Sequence, residues 1–409
     1  MVRWPTVAVM VGAVAACSGD PEGAPPTVAL DSAGIRIVTY DLDGTTPRTF
    51  RVLGEPDLQI GVLDGAAEYA LSRIRDVDVA SDGSIVVADW TLRELRVYDS
   101  AGVYRATLGR QGDGPGEFQD APSLAGLAGD TVYAFDRRAR RLTAHSLRGD
   151  FISALTLAAG TGGAPALALR LDDGTLLSQS TWVAPLDPSD PHDFRMELDS
   201  IVIEHLDTAG ALLDTVTVMA DLNRVRRVSV LEDGRVSTVQ AEPPYTARAF
   251  VRTDGTRPVL ARSSAFEVRF ARANGGTDRI VRVLGVDHPA TADEIRAHQE
   301  AGVREELGSD IDPLTWMLNV ESLPDMLPAF DDIFVAQDGD VWVSRMEYDA
   351  SEGYEWLVFS PEGVLRGTVR TPPDTRLHWI GTGFVLGVAV DDLEVPYVRR
   401  YPLLGERPR

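Results

Sequence analysis

The chain has 409 residues, of which 44% are hydrophobic, and its 39 basic and 62 acidic residues give a formal net charge of -23. Such a length supports a large buried core, either as two ordinary domains or as one repeat-built domain. The charge repels nucleic acid and anionic lipid, and since every basic residue is arginine, Schiff-base lysine chemistry, pyridoxal-phosphate attachment and a Walker A lysine are excluded.

Residues 1–16 have the layout of a secretory signal peptide: Arg3 near the start, then an apolar run from Val7 to Ala16 that is too short to span a bilayer. The sequence Val14-Ala15-Ala16-Cys17 resembles a bacterial lipobox. That resemblance implies cleavage before Cys17 and lipid attachment to it, with Ser18 directing the product to the outer membrane. An ordinary signal peptide cleaved after Ala16, leaving a free thiol, is the other reading. Cys17 is the only cysteine, so no intramolecular disulfide, CxxC redox pair or cysteine zinc site can form. Residues 17–33 lack apolar periodicity over most of their length and read as a flexible tether.

From residue 34 to 404 the pattern is of short β-rich runs separated by Asp-Gly, Gly-Asp or Ala-Gly turns, the grammar of an antiparallel meander. The first unit contains Ile74-Arg75-Asp76-Val77-Asp78-Val79, a turn at Asp82-Gly83, Ile85-Val86-Val87-Ala88, Leu95-Arg96-Val97-Tyr98, a turn at Ser100-Ala101-Gly102, and Val103 onward to Leu108. Four strands make one propeller blade. A second unit turns at Gly129-Asp130 and Gly149, with nearly the same internal spacing. Further units turn at Asp173-Gly174 and Ala209-Gly210, at Asp254-Gly255 and Gly275-Gly276, and at Asp338-Gly339 and Glu362-Gly363. The last unit has only three strands, and the expectation is that the N-terminal run 35–40 supplies the fourth and closes the ring. The count is six blades, or five if the weak fourth unit is discounted. Thr291-Ala292-Asp293-Glu294 fits a capped helix start, predicting a helical insert over 291–308. Residues 405–409 form a C-terminal tail.

Between the first two units lies Leu108-Gly109-Arg110-Gln111-Gly112-Asp113-Gly114-Pro115-Gly116-Glu117-Phe118. This stretch, Pro122, and the strand Val132-Tyr133-Ala134-Phe135-Asp136 resemble the NHL repeat, and Ile85 to Asp89 repeats the strand ending in aspartate. The chain is thus similar to bacterial six-bladed NHL-like propeller lipoproteins. The resemblance implies an all-β scaffold of four-stranded antiparallel blades used for ligand or protein binding, some relatives being lactonases, lyases or hydrolases.

The glycine-rich stretch could cradle a phosphate, but it lacks G-x-G-x-x-G spacing, a following helix and lysine. Gly109, Gly112, Gly114, Gly116 and Phe118 therefore read as a structural turn. Asp89 and Asp136 are expected to bind the backbone of the turn after each second strand. Asp76, Asp78 and Asp82 miss calcium-loop spacing. Histidines 145, 192, 205, 288, 298 and 378 show no ligand-pair motif, and tryptophans 342, 356 and 379 read as packing between blades. No catalytic or metal-ligating set assembles, and no cofactor is legible. The reading is a lipid-anchored envelope binding module for a protein, peptide or glycan, touching the membrane only through its lipid. The alternative is a lactonase-like hydrolase or lyase with a metal in the central channel.

Overall fold

The computed structural model describes residues 26–182, 194–230, 236–241, 246–286, 293, 297, 327–346 and 353–405. They form six antiparallel blades. Blade one comprises Ile74–Val79, Ile85–Asp89, Glu94–Tyr98 and Tyr104–Leu108, and blade two Ser123–Ala128, Thr131–Asp136, Arg141–Ser146 and Phe151–Thr156. Blade three starts at Pro165–Arg170 and Leu176–Trp182, continues with the long strands Phe194–Leu206 and Leu212–Val230, and gains a fifth strand, Val236–Ala241. Blade four is built from Ala249–Thr253, Pro258–Arg262, Glu267–Ala271 and Thr277–Leu284, and blade five from Phe330–Val335, Val341–Arg345, Tyr354–Phe359 and Leu365–Thr371. Thr375–Ile380, Phe384–Val390 and Pro396–Leu404 give blade six three strands.

Closure does come from an N-terminal strand, but not from residues 35–40. Leu58–Ile60 pairs antiparallel with the third strand of blade six, Ile60 opposite Val398 and Leu58 opposite Arg400. Two side-chain bonds hold it: Arg400 Nε to Asp57 Oδ1 at 2.7 Å and Arg399 Nε to Gln59 Oε1 at 2.9 Å. Ile35–Asp41 instead lies parallel to the fourth strand of blade four. Val38 and Tyr40 are buried there among blades four and five, and the Tyr40 hydroxyl donates to the Gly363 carbonyl (3.0 Å) while accepting from the Leu365 amide (2.9 Å). The alternation of 35–40 marks an edge strand without saying which edge, and a three-residue strand carries too little periodicity to be read. Val28–Ser32, within the segment read as a tether, is a strand paired with Ile35–Asp41. Asp293 and Ala297 have helical backbone; the rest of the insert 291–308, Cys17 and the tail 406–409 lie outside the described residues. Among the described residues no helix is long and apolar enough to cross a membrane.

The core is divided among the six junctions between successive blades. In blade one the run Ile85 to Ala88 is 0–2% exposed throughout. Because successive strand side chains point to opposite faces, Val86 and Ala88 pack toward blade two while Ile85 and Val87 pack toward blade six. Other clusters join blades two and three, three and four, four and five, and five and six. A second strand buried on both faces reads as a continuous apolar run, which is how these strands stand out in the sequence.

Strand alternation sorts the connections. The hairpins between first and second and between third and fourth strands share one face, here termed the hairpin face. The turns between second and third strands and the crossovers between blades share the other, the crossover face. On the hairpin face the Asp-Gly turns are built alike: the Asp82, Asp173 and Asp254 carboxylates each accept the amide two residues on, all at 2.9 Å, the Asx geometry expected of short acidic side chains.

On the crossover face Asp89 and Asp136 do more than cap their own turns. Both are 0% exposed. Asp89 accepts the Thr91 and Leu92 amides on one oxygen and the Ser72 amide on the other; Asp136 accepts Ala139 on one and Gln119 on the other. Each carboxylate thus ties the turn after the second strand to the crossover entering the same blade. Charged-group hydrogen bonds contribute about 1.5–3 kcal/mol each, so Asp136→Ala is expected to lower the unfolding free energy by roughly 3 kcal/mol or more in urea titration.

Candidate binding site at the channel mouth

First strands of successive blades adjoin one another around most of the ring and line the central channel. Five of them carry a register shift where they pair with their second strands: blades one, two, three, five and six. An extra residue bends the strand and re-aims a side chain. In blades one, five and six the shift falls at Arg75, at Asp331 and Asp332, and at His378, so these bulges carry charged or titratable groups.

Between these three blades, on the crossover face, opens a cavity of about 550 Å³. Blade one contributes Arg73 and Ile74, blade five Asp331, Asp332, Tyr354 and Trp356, and blade six Asp374, Arg376, His378 and Glu394. Asp332 is held from blade four: Arg252 Nη2 donates to its Oδ1 at 2.9 Å, and Arg252 Nε donates to the Ile333 carbonyl at 2.8 Å. The Asp332 amide in turn donates to Ser344 Oγ at 2.7 Å. Asp331, Asp374, Arg376, His378 and Glu394 make no side-chain hydrogen bond or ion pair among the described residues. Burial raises the Asp331 carboxyl, with the Asp332 charge adding, against Arg248 and Arg376. Burial also pushes His378 down to about 4, helped by Arg376, so this imidazole is neutral at pH 7.

Glu394 occupies the left-handed region at φ 60°, as Arg93 and Arg140 do at 54° and 52° in the corresponding turns of blades one and two. Non-glycine residues are uncommon there. The turns of blades one and two start from Asp89 and Asp136, while that of blade six is built on Asp391, whose Oδ1 accepts the Leu393 and Val395 amides at 3.0 Å; all three place a long charged residue on the crossover face. At the rim, exposed Trp90 is flanked by the Arg73 and Arg75 guanidinium groups, 4.8 and 5.2 Å from its ring centroid, within cation–π range.

Deeper in the channel, Asp76 and Asp78 lie on the wall of blade one. Asp76 is far inside the ring, yet its side chain keeps 37% of its surface, and its Oδ2 accepts the Leu124 amide at 3.1 Å. Burial raises its carboxyl and pushes Asp78 up to about 7, where the neighbouring Asp76 charge adds. A carboxyl raised in the fold binds more protons there than in the unfolded chain, so its contribution to stability falls as pH rises from about 4 through 7. Asp78→Asn is accordingly expected to raise the melting temperature at pH 8 and leave it unchanged at pH 3.5.

The glycine-rich turn lies away from this cavity, joining blades one and two. Its amides are already used: Glu117 folds back to accept the Gly114 amide (2.9 Å) and the Arg110 Nε (2.7 Å), and the Gly112 amide donates to the Phe118 carbonyl (3.1 Å). The protein's own carboxylate occupies the place an anion would take. Gly109 and Gly116 have φ of 69° and 75°, and Phe118 is fully buried. His145 packs against Phe118, and His205 bonds Thr175 Oγ1 at 2.9 Å; histidines 192, 288 and 298 lie outside the described side chains. Trp342 and Trp356 are packed between blades five and six, and Trp379 against Phe384, with Trp356 also reaching the cavity. No three His, Cys, Asp or Glu side chains converge as metal ligands among the described residues.

Sequence reading misses Arg73, Trp90, Asp331, Asp332, Asp374, Arg376 and Glu394. They are drawn together from separate blades by ring closure, and the bulges that aim several of them leave no periodic signature.

A family model described as DUF5128, 6-bladed beta-propeller, matches residues 62–177. No curated protein matches the chain by sequence. Among solved structures, a Bacteroides fragilis protein described as exported overlays 90% of this chain and 100% of its own at 10% identity, with a TM-score of 0.50. A DUF4221-family protein from Bacteroides vulgatus overlays 87% of this chain and 98% of its own at 9% identity and a TM-score of 0.45. The chain is a six-bladed β-propeller of four-stranded antiparallel blades, its last blade closed by an N-terminal strand.

Proposed function

We propose that the chain is an exported, lipid-anchored propeller that binds a protein, peptide or glycan at the channel mouth between blades one, five and six. The observation that carries this reading is the set of unpaired charges lining the cavity: Asp331, Asp374, Arg376 and Glu394. All four are exposed to the cavity and its solvent, so none is obliged to pair inside the protein. Here the fold holds carboxylates and a guanidinium apart around an open concavity, leaving both to a guest. Tyr354, Trp356 and Phe334 supply apolar wall, and a mixed lining with a few polar anchors is the ordinary form of a ligand site. A peptide or glycan offers the N–H, O–H and carbonyl groups that such a lining can bind. Export and anchoring rest on the signal layout and on Cys17 at the lipobox position.

The test is retention from detergent-solubilised native envelope on the immobilised mature chain, compared with an Asp331→Asn/Arg376→Ala variant. A species retained by the wild type and lost at least tenfold by the variant supports the reading. Equal retention by both, or none by either, contradicts it.

A further inference from the structure

Resting on the anchored reading, we infer that the crossover face, with its cavity, is turned toward the membrane and docks on anionic lipid headgroups through the turns of blades one and two. The first support is where the chain enters. The fourth strand of blade four runs from the hairpin face to the crossover face, Ile35–Asp41 is parallel to it, and Val28–Ser32 is antiparallel to that strand in turn. Val28 therefore stands at the crossover-face end, where the Asp41 amide donates to Thr27 Oγ1 at 2.9 Å. From Cys17 to Thr27 a fully extended chain reaches at most about 35 Å. A lipid on Cys17 thus tethers the ring by the rim of its crossover face.

The second support is charge. In a chain of net charge -23, the turn after the second strand of blade two presents exposed Arg137, Arg138 and Arg140, none of them in an ion pair among the described residues. Beside it, the matching turn of blade one presents Trp90 and Leu92, 42% and 38% exposed, with Arg93 after them. Arginines next to an exposed indole and leucine suit the headgroup region, where aromatic rings sit and guanidinium groups meet phosphate. The hairpin face carries Asp82, Asp99, Asp173, Asp207, Asp254 and Asp338 in its turns; on the crossover face the exposed acids Asp374, Asp392 and Glu394 gather at blade six, so the basic patch there is confined to the turns of blades one and two. Tether and basic patch therefore lie on the same face.

The single native cysteine makes a direct test available, because lipid attachment consumes it and an introduced thiol is then unique. The lipidated full-length product carrying Thr91→Cys (crossover face) or Ala209→Cys (hairpin face) is labelled with an environment-sensitive fluorophore. It is then reconstituted into phosphatidylethanolamine/phosphatidylglycerol vesicles with headgroup nitroxide quencher. The Thr91 position is expected to be quenched at least threefold more than the Ala209 position. Each arginine near an anionic surface contributes about fivefold in partitioning, so Arg137→Glu/Arg138→Glu/Arg140→Glu should bring the Thr91 signal down to the Ala209 level while the protein still floats with the vesicles. Equal quenching at the two positions, or stronger quenching at Ala209, overturns the orientation, and a difference that survives in the triple variant overturns the headgroup contact. A protein that fails to float overturns the anchor itself and this inference with it, an outcome separate from either of the others.

Discussion

Phe118→Ala is expected to lower the unfolding free energy by about 3–5 kcal/mol, the range for deleting a fully buried aromatic side chain, read as a shift of the urea midpoint at constant slope. The ring lies in the cluster joining blades one and two, with Leu108, Val132 and Ala134, and it is 0% exposed. Nothing nearby can collapse into the space, because the turn that carries the ring is fixed by its own bonds: the Phe118 amide donates to the Arg110 carbonyl at 2.8 Å. Gly109→Ala should be destabilising for two separate reasons. The residue sits at φ 69°, and a Cβ there would collide with the Phe118 ring. The double variant Gly109→Ala/Phe118→Ala should then lose less than the sum of the two, since the collision with the ring disappears while the close approach to the Gly116 carbonyl oxygen stays.

The second large effect is acid sensitivity at His145. Its ring is 1% exposed and neither nitrogen has a hydrogen-bond partner among the described residues. It sits between Phe118 and Phe151, with centroid distances of 5.9 and 5.8 Å. Burial alone pushes it down to about 4. In the unfolded chain a histidine titrates near 6.5, so between these values the unfolded state binds the extra proton. The neutral ring's contribution is complete above pH 6.5 and is lost as pH falls toward 4. At about 1.4 kcal/mol per unit the loss is on the order of 3 kcal/mol. Asp78, raised in the fold, has the opposite slope over part of this window, so the informative quantity is the difference between wild type and His145→Leu. That difference should grow in favour of the variant from pH 7 to pH 4.5, and a constant difference would contradict the assignment.

Much of the ring is legible in the sequence because propeller geometry imposes local rules. Second strands buried on both faces give runs such as Ile85 to Ala88, and the hairpin turns demand aspartate followed by glycine. The glycine-rich joint is legible for the same reason: Gly109 and Gly116 need positive φ, and Phe118 must be buried. Closure is legible only in outline. Residues 35–40 alternate well enough to announce a strand, while Leu58–Ile60, which closes blade six, is three residues long. Which edge each strand joins is decided by packing at a distance, by Tyr40 against blade five and by Arg400 with Asp57.

The site is less legible still. Asp331, Arg376 and Glu394 look like ordinary solvated charges in the sequence, and Arg73 is more than 250 positions away from any of them. Their convergence depends on the first blade meeting the fifth and sixth across the closed ring. Asp76 and Asp78, expected on the polar side of a strand, do lie on a first strand, but that strand faces a narrow channel. Their carboxyls are raised for that reason.

The claim that the channel mouth is the working surface is tested most directly by site-specific photocrosslinking in the native envelope. A benzophenone amino acid is placed at Tyr354, in the cavity, or at Ala209, on the hairpin face. A discrete adduct is expected from Tyr354 that is lost on adding Asp331→Asn/Arg376→Ala, and none from Ala209. An adduct that forms equally from Ala209, or one from Tyr354 that persists unchanged in the cavity variant, would contradict it.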